Sequence, residues 1–251
     1  MQMFFYNFSV RLYWWVIVLM SPFFSRAKKF VQGRKRNSYR SAPGKKSGTK
    51  RLWIHASSLG EFEQGRPLIE ALRAKSPSLE IILTFFSPSG FEVRKNYDQV
   101  DFVTYMPMDF PRNARKFLHK IQPDFIVIVK YEFWINHLKE AFWRNIPVIY
   151  LSAIFKKDQV YFNRGSGLYI PVFRNIEHFF VQNTSSMEIL QQHKINQVTV
   201  SGDTRFDRVH QIASSSKKLE LIEKFLGNRD CIVVGSAWNS DLDIIAPFLK
   251  E

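Results

Sequence analysis

The segment DFIVIV, residues 124–129, constrains this chain most, because five apolar residues follow one another without a polar break. Successive strand residues face opposite sides, so such a run needs cover on both faces, as in a parallel sheet sandwiched by helices. Comparable runs recur as LWIHA, LEIILTFF, DFVTYMP and PVIYLSA. Between them the spacing predicts amphipathic helices around Glu61 to Lys75, from Ser89, from Pro111 and around Phe133 to Arg144. Strands alternating with helices predict an α/β fold with a Rossmann-like, doubly wound parallel sheet.

After Ser152 comes a less regular stretch with Tyr161, Arg164 and Tyr169, followed by HFFVQN, a helix from Thr184, and QVTVSGD. CIVVGSAW then predicts a further strand-helix unit starting at Cys231, with no sheet of its own to join. The single cysteine excludes an internal disulfide framework. Inside its apolar run it is expected to be a buried thiol acting as a small hydrophobe, in a reducing compartment.

The net charge of +14 invites a nucleic-acid reading, but residues 1–60 hold twelve of the cations and no acid, leaving the remainder near +2. The basicity belongs to one N-terminal element, not to a binding face, so no nucleic-acid partner is expected. Ahead of the basic block runs MQMFFYNFSVRLYWWVIVLMSPFFS, which reads as a membrane anchor over residues 1–25. Its unbroken apolar part, Leu12 to Met20, is short for a span, although Phe4 to Phe24 could cross if Arg11 is tolerated, and Trp14 and Trp15 suit an interface. Residues 26–50, ending in NSYRSAPGKKSGTK, read as a basic linker.

Ligands of parallel sheets collect at the carboxyl ends of strands, where loops enter helices. HASSLGEFEQG is such a loop: Ser57, Ser58 and Gly60 allow close backbone approach, and Glu61 lies in the first helical turn. Its carboxylate is a candidate general base for a hydroxyl nucleophile, or a plain helix-stabilising glutamate. KYEFWIN, residues 130–136, follows DFIVIV on the same edge and gathers Lys130, Tyr131, Glu132 and Trp134, or else simply opens a helix with Glu132 capping it. In SGDTRFDR, Gly202 permits a turn and Arg205 is suited to hold an anion bidentately. The plainer reading has Asp203 or Thr204 capping a helix and Arg205 in solvent. The absence of G-x-G-x-x-G after the first strand and of G-x-x-x-x-G-K-[ST] argues against dinucleotide and P-loop enzymes. No histidine has metal-ligand spacing, and Asp241 and Asp243 read as a solvated helix start.

Taken in order, HASSLGE, MPMDFP, KYEFWIN, VQN, QVTVSGDTRFD and GSAW resemble the membrane-anchored 3-deoxy-D-manno-octulosonic acid (Kdo) transferases of lipopolysaccharide synthesis. The resemblance implies a two-domain GT-B glycosyltransferase that transfers Kdo from CMP-Kdo to a lipid A precursor at the cytoplasmic face of the membrane, without cofactor or metal. It implies Glu61 as the base that takes the acceptor hydroxyl's proton, and Ser57, Ser58, Gly60, Gly202 and Asp203 at the substrates. Arg205 stands where the family usually has Lys and would stabilise negative charge on the leaving phosphate or the Kdo carboxylate. The family's acidic pair before the Trp is represented by Glu132 alone, since its first position is Lys130, which would then act on the anionic donor. Family members continue well past residue 251. The resemblance therefore implies an acceptor-side domain at 51–215 and only the start of a nucleotide-sugar domain at 216–251. The alternative is a catalytically incomplete, membrane-bound lipid A binding module.

Overall fold

The computed structural model describes residues 1–36, 38–130, 132–163, 167–215 and 219–248; Tyr131 and Arg164 lie outside them. It divides into two compact units, residues 1–210 and 211–251.

In the first unit, strands β1 (Arg51–Ala56), β2 (Glu80–Phe85), β3 (Phe102–Tyr105), β4 (Phe125–Val129), β5 (Val148–Ala153), β6 (His178–Val181) and β7 (Val198–Val200) form one parallel sheet. Its order is β3-β2-β1-β4-β5-β6-β7, so winding reverses between β1 and β4. The two-residue period sorts each strand between two cores. Leu52, Ile54, Val127 and Val129 join a cluster with Phe62 and Ile69 of helix α3 (Leu59–Lys75). Trp53, Ile126 and Ile128 join the opposite cluster with Phe117 and Leu118 of α5 (Pro111–Ile121) and Leu138 of α6 (Ile135–Trp143). Further cover comes from α4 (Pro88–Arg94), α7 (Tyr169–Phe173) and α8 (Thr184–Gln192). The Rossmann-like parallel sheet is as the apolar runs require.

The basic stretch departs from expectation. Two helices precede the sheet, α1 (Gln2–Met20) and α2 (Ser25–Arg36), and α2 buries Phe30, Val31 and Gly33, so the first part of the expected linker is a packed helix. Arg34 explains why a cationic segment can pack. Its guanidinium lies 3.5 Å over the Phe30 ring and donates to the carbonyls of Phe86 at 2.7 Å and Met106 at 3.2 Å. Burial pushes that guanidinium down to about 9. Residues 45–51 are likewise fastened to the amino edge of the sheet. Lys45 Nζ and the Arg51 amide both donate to Asp124, and the fully buried Arg51 side chain pairs with Glu80. Glu80 also accepts from Thr49 Oγ1 and the Lys46 amide, at 2.7 and 2.9 Å. Buried cations with this many acceptors are structural fixtures, not linker charge.

In the second unit, α9 (Glu220–Leu226) and α10 (Asn239–Phe248) are separated by Cys231–Val234, which form no strand. Cys231 is exposed, as are Ile232 and Val233, correcting the expectation of a buried thiol inside a strand. A strand needs a neighbour for its backbone groups, and the described residues of this unit contain no other.

Candidate active site

Loops leaving β1 and β4 flank the point where winding reverses, the place where doubly wound sheets bind ligands. After β1 the chain passes Ser57 to Ser58, the N-cap of α3, and Glu61 is the third residue of that helix. Ser58 and Glu61 thus have the S-x-x-E spacing of a capping box, in which both side chains would bond to backbone amides. Here Ser58 makes no cap bond, and its hydroxyl donates to Glu61 Oε2 instead. The other carboxylate oxygen lies 3.5 Å from Lys130 Nζ, with both side chains mostly shielded from solvent. Lys130 follows β4 directly and takes a left-handed backbone, φ 70°, while its amide donates to the Leu151 carbonyl at 2.8 Å. That conformation is uncommon for a residue with a side chain, and sites of function are where it concentrates.

Glu132 completes the cluster. Burial raises its pKa, the negative charge of Glu61 raises it further, and the Ser57 hydroxyl and Lys130 work against both. Two carboxylates therefore share one ammonium, which disfavours a second negative charge beside Glu61 and biases Glu132 toward its protonated form. Glu132 does not cap α6, whose N-cap is Trp134 and whose first amides are taken by Tyr6 and Asp109. Asp109 of MPMDFP, fully buried, accepts from the Asn136 amide at 2.9 Å and the His137 amide at 3.0 Å, as well as from the His137 ring. A Cβ at Gly60 would meet only Ser58 Oγ, at 3.8 Å.

Behind the carboxylates stands His55. The Trp134 indole N–H can only donate, and it reaches His55 Nε2 at 3.1 Å; the ring proton is therefore on Nδ1, donating to Thr84 Oγ1 at 2.8 Å. Complete burial pushes the imidazole down to about 3, with His137 nearby adding to the effect. A neutral His55 is a strut between the first two loops, holding Trp134 against the strand that carries Ser57.

The third loop is tied to the same helix. Gly202 has φ 79°, the left-handed turn that glycine permits, and the loop then brings Thr204 Oγ1 to the Gln64 carbonyl at 2.6 Å. Gln64, one turn beyond Glu61 and fully buried, donates through Nε2 to Asp203 Oδ1 at 3.0 Å. Ser152, at an irregularity in the β5–β6 pairing, sits 2.9 Å from Thr204 Oγ1, and its carbonyl accepts from Gln182 of VQN. Burial opposes ionisation of Asp203, but Arg205 and Gln64 outweigh it and hold the carboxyl down to about 2. Arg205 itself is more than half exposed and its guanidinium is spent on Asp203, with Nε at 2.9 Å. The structure thus gathers Glu61, Lys130, Glu132 and Ser57 and ties Asp203 and Thr204 to α3, while Arg205 stands at the rim, turned to its own loop.

Asp109 lies in MPMDFP and Thr204 in SGDTRFDR, but neither motif marks the contact that its residue makes, and Gln64 and Ser152 carry no motif signal of their own. Gln64 alone was accessible from sequence, through its i,i+3 spacing from Glu61.

A family model described as 3-deoxy-D-manno-octulosonic-acid transferase (kdotransferase) matches residues 28–208. Among curated proteins, a 3-deoxy-D-manno-octulosonic acid transferase of Haemophilus influenzae is 34% identical over 103 residues, covering 41% of this chain and 24% of the relative. That of Aquifex aeolicus is 25% identical over 201 residues, covering 80% and 50%, and that of Rickettsia bellii is 21% identical over 250 residues, covering 96% and 60%. The chain thus spans between about a quarter and three fifths of the length of these relatives. Among solved structures, the UDP-GlcNAc 2-epimerase from Methanocaldococcus jannaschii superposes with a TM-score of 0.53 at 16% identity, covering 80% of this chain and 62% of the other. At that identity the likeness speaks for the GT-B-like fold alone. With the family model covering the sheet, most of α2 and all three loops, the chain belongs to the 3-deoxy-D-manno-octulosonic-acid transferase family.

Proposed function

We propose that residues 51–215 are the acceptor side of an inverting Kdo transferase, with residues 216–251 opening the nucleotide-sugar half. The observation that carries this reading is Glu61: a glutamate at a capping position whose carboxylate is withheld from the backbone and held by Ser58 and Lys130 at the sheet's switch point. A carboxylate so placed takes a proton from a sugar hydroxyl of the lipid A precursor as that oxygen attacks the anomeric carbon of CMP-Kdo. The anomeric C–O bond breaks and its electron pair leaves with the CMP phosphate. A single base activates the nucleophile in an inverting displacement, as one carboxylate of the pair does in inverting hydrolases. Lys130 neutralises Glu61 at rest and lies where the anionic donor would arrive. Arg205, on exchanging Asp203 for the donor, would stabilise charge developing on the leaving phosphate or the Kdo carboxylate.

A lipid acceptor is supported by an apolar groove of about 620 Å³ lined by Phe5, Val10 and Tyr13 of α1 and by Met108, Trp134 and Tyr169 of the body. Trp134 is the residue that His55 fixes beside the carboxylates. The first helix, apolar and long enough to meet a bilayer, supports attachment to the cytoplasmic membrane with the basic segment on the cytoplasmic side. The same groove would serve a second reading, a membrane-bound lipid A binding module without turnover.

The test is Kdo transfer from CMP-Kdo to a tetraacylated lipid A precursor in detergent, measured for this chain and for a version extended through a nucleotide-sugar domain. Glu61→Gln in the active form is expected to lower the rate at least about a hundredfold, the scale of a lost general base, with folding intact. Retained transfer removes Glu61 from the mechanism; acceptor binding without turnover in both forms favours the binding module.

A further inference from the structure

The anchor helix α1 has two faces of different character, and the division runs along its whole length. Met3 and Tyr6 pack against the core of the body, Trp14 meets the Phe30 ring at 6.4 Å, and Ile17 lines a recess with Phe30 and Val93. On the opposite side Phe4, Phe8, Leu12, Trp15 and Leu19 recur every three or four residues, continued by Phe23 in the turn that follows, all more than half exposed. The first turns are pinned by polar contacts. Tyr6 Oη donates to Asp109 Oδ2 at 2.5 Å and accepts from the Ile135 amide, and Asn7 Oδ1 accepts from Asn136 Nδ2 at 2.9 Å.

These contacts decide between two geometries that length alone leaves open. Nineteen helical residues rise about 28 Å, close to the thickness of a bilayer's hydrocarbon. To cross it, α1 would have to leave the body end to end, stripping Asp109 of a hydroxyl donor and exposing Trp14 and Phe30. Lying flat, it keeps all of these contacts and submerges only the outer stripe. The cations fit that orientation: Arg11, Arg26, Lys28, Lys29, Lys35 and Arg36 are exposed on the same two helices, in a segment without acids.

We propose that α1 is an in-plane anchor, docked along the body and seated on an anionic lipid leaflet by its Phe4-to-Phe23 stripe and the flanking cations. The inference rests on the membrane attachment proposed above and adds its geometry. Trp14, turned toward Phe30, and Trp15, 67% exposed, are neighbours about 100° apart on the helix, and they supply the test. The full chain is mixed with phosphatidylethanolamine vesicles containing one quarter phosphatidylglycerol, with and without brominated acyl chains. Cosedimentation is expected, weakened about tenfold by high salt as the headgroup attraction is screened. Bromolipid quenching of tryptophan fluorescence is expected to fall by more than half in Trp15→Phe and to stay nearly unchanged in Trp14→Phe. Equal losses from both variants would mean a spanning helix and overturn the in-plane geometry while leaving attachment in place. No vesicle binding by the unmodified chain, with self-association in its place, would overturn attachment itself and assign the stripe to a second copy.

Discussion

At the scale of single residues, the named positions divide into a charged cluster and the residues that fix the segments around it. Glu61, Lys130 and Glu132 form the cluster; His55, Asp109, Gln64 and Thr204 hold those segments, each through a bond that crosses from one segment to another. His55 makes this division measurable. Its folded pKa, about 3, lies below the ordinary 6.5, so between those values the unfolded chain binds a proton that the folded chain refuses. The stability due to neutral His55 is therefore complete above pH 6.5 and drains away as pH falls toward 3, by up to about 1.4 kcal/mol per unit. Urea unfolding at pH 6.5, 5.5 and 4.5 is expected to show a shallower decline in His55→Gln than in the unmodified protein. Equal slopes would place the proton uptake elsewhere.

At the scale of elements, α2 shows how composition misleads. Six cations within it and glycine-serine punctuation after it read as a linker, because exposed charge and low apolar content are what a linker has. Its apolar payload is only Phe30 and Val31, yet Gly33 lets the helix press directly on Tyr105. A Cβ there would come within 2.5 Å of the ring, and that ring is buried and stacked on Phe91 at 4.2 Å, so it cannot yield. Gly33→Ala is accordingly expected to destabilise the protein by about 1–2 kcal/mol, the cost of overpacking less the gain in helix propensity. Gly44→Ala, where no atom lies within 4 Å, serves as the neutral control in the same thermal melts. An unchanged melting temperature in Gly33→Ala would mean that α2 does not pack on β3's end in solution.

At the scale of the molecule, hydrogen exchange should follow sheet position. Amides of the central strands β1 and β4 are expected to exchange slowest, and those of Cys231–Val234 faster by orders of magnitude, since that apolar run forms no strand. Protection of Cys231–Val234 would show that they pair after all. The contrast between DFIVIV and CIVV marks how far sequence reaches. Both are apolar β-formers, and local propensity cannot tell a run with neighbours on both edges from one with none. The sequence by itself determined the layered α/β architecture, the two-faced strands and the three loops at the carboxyl edge, because these follow from side-chain period and backbone sterics within a few residues. Only the tertiary structure decided that Lys130 meets Glu61, that Thr204 reaches Gln64 across 140 residues, that Arg51 is a buried pair and that α1 lies along the body. Those contacts depend on strand order, register and loop closure, and no local pattern encodes the distance between residues so far apart in the chain.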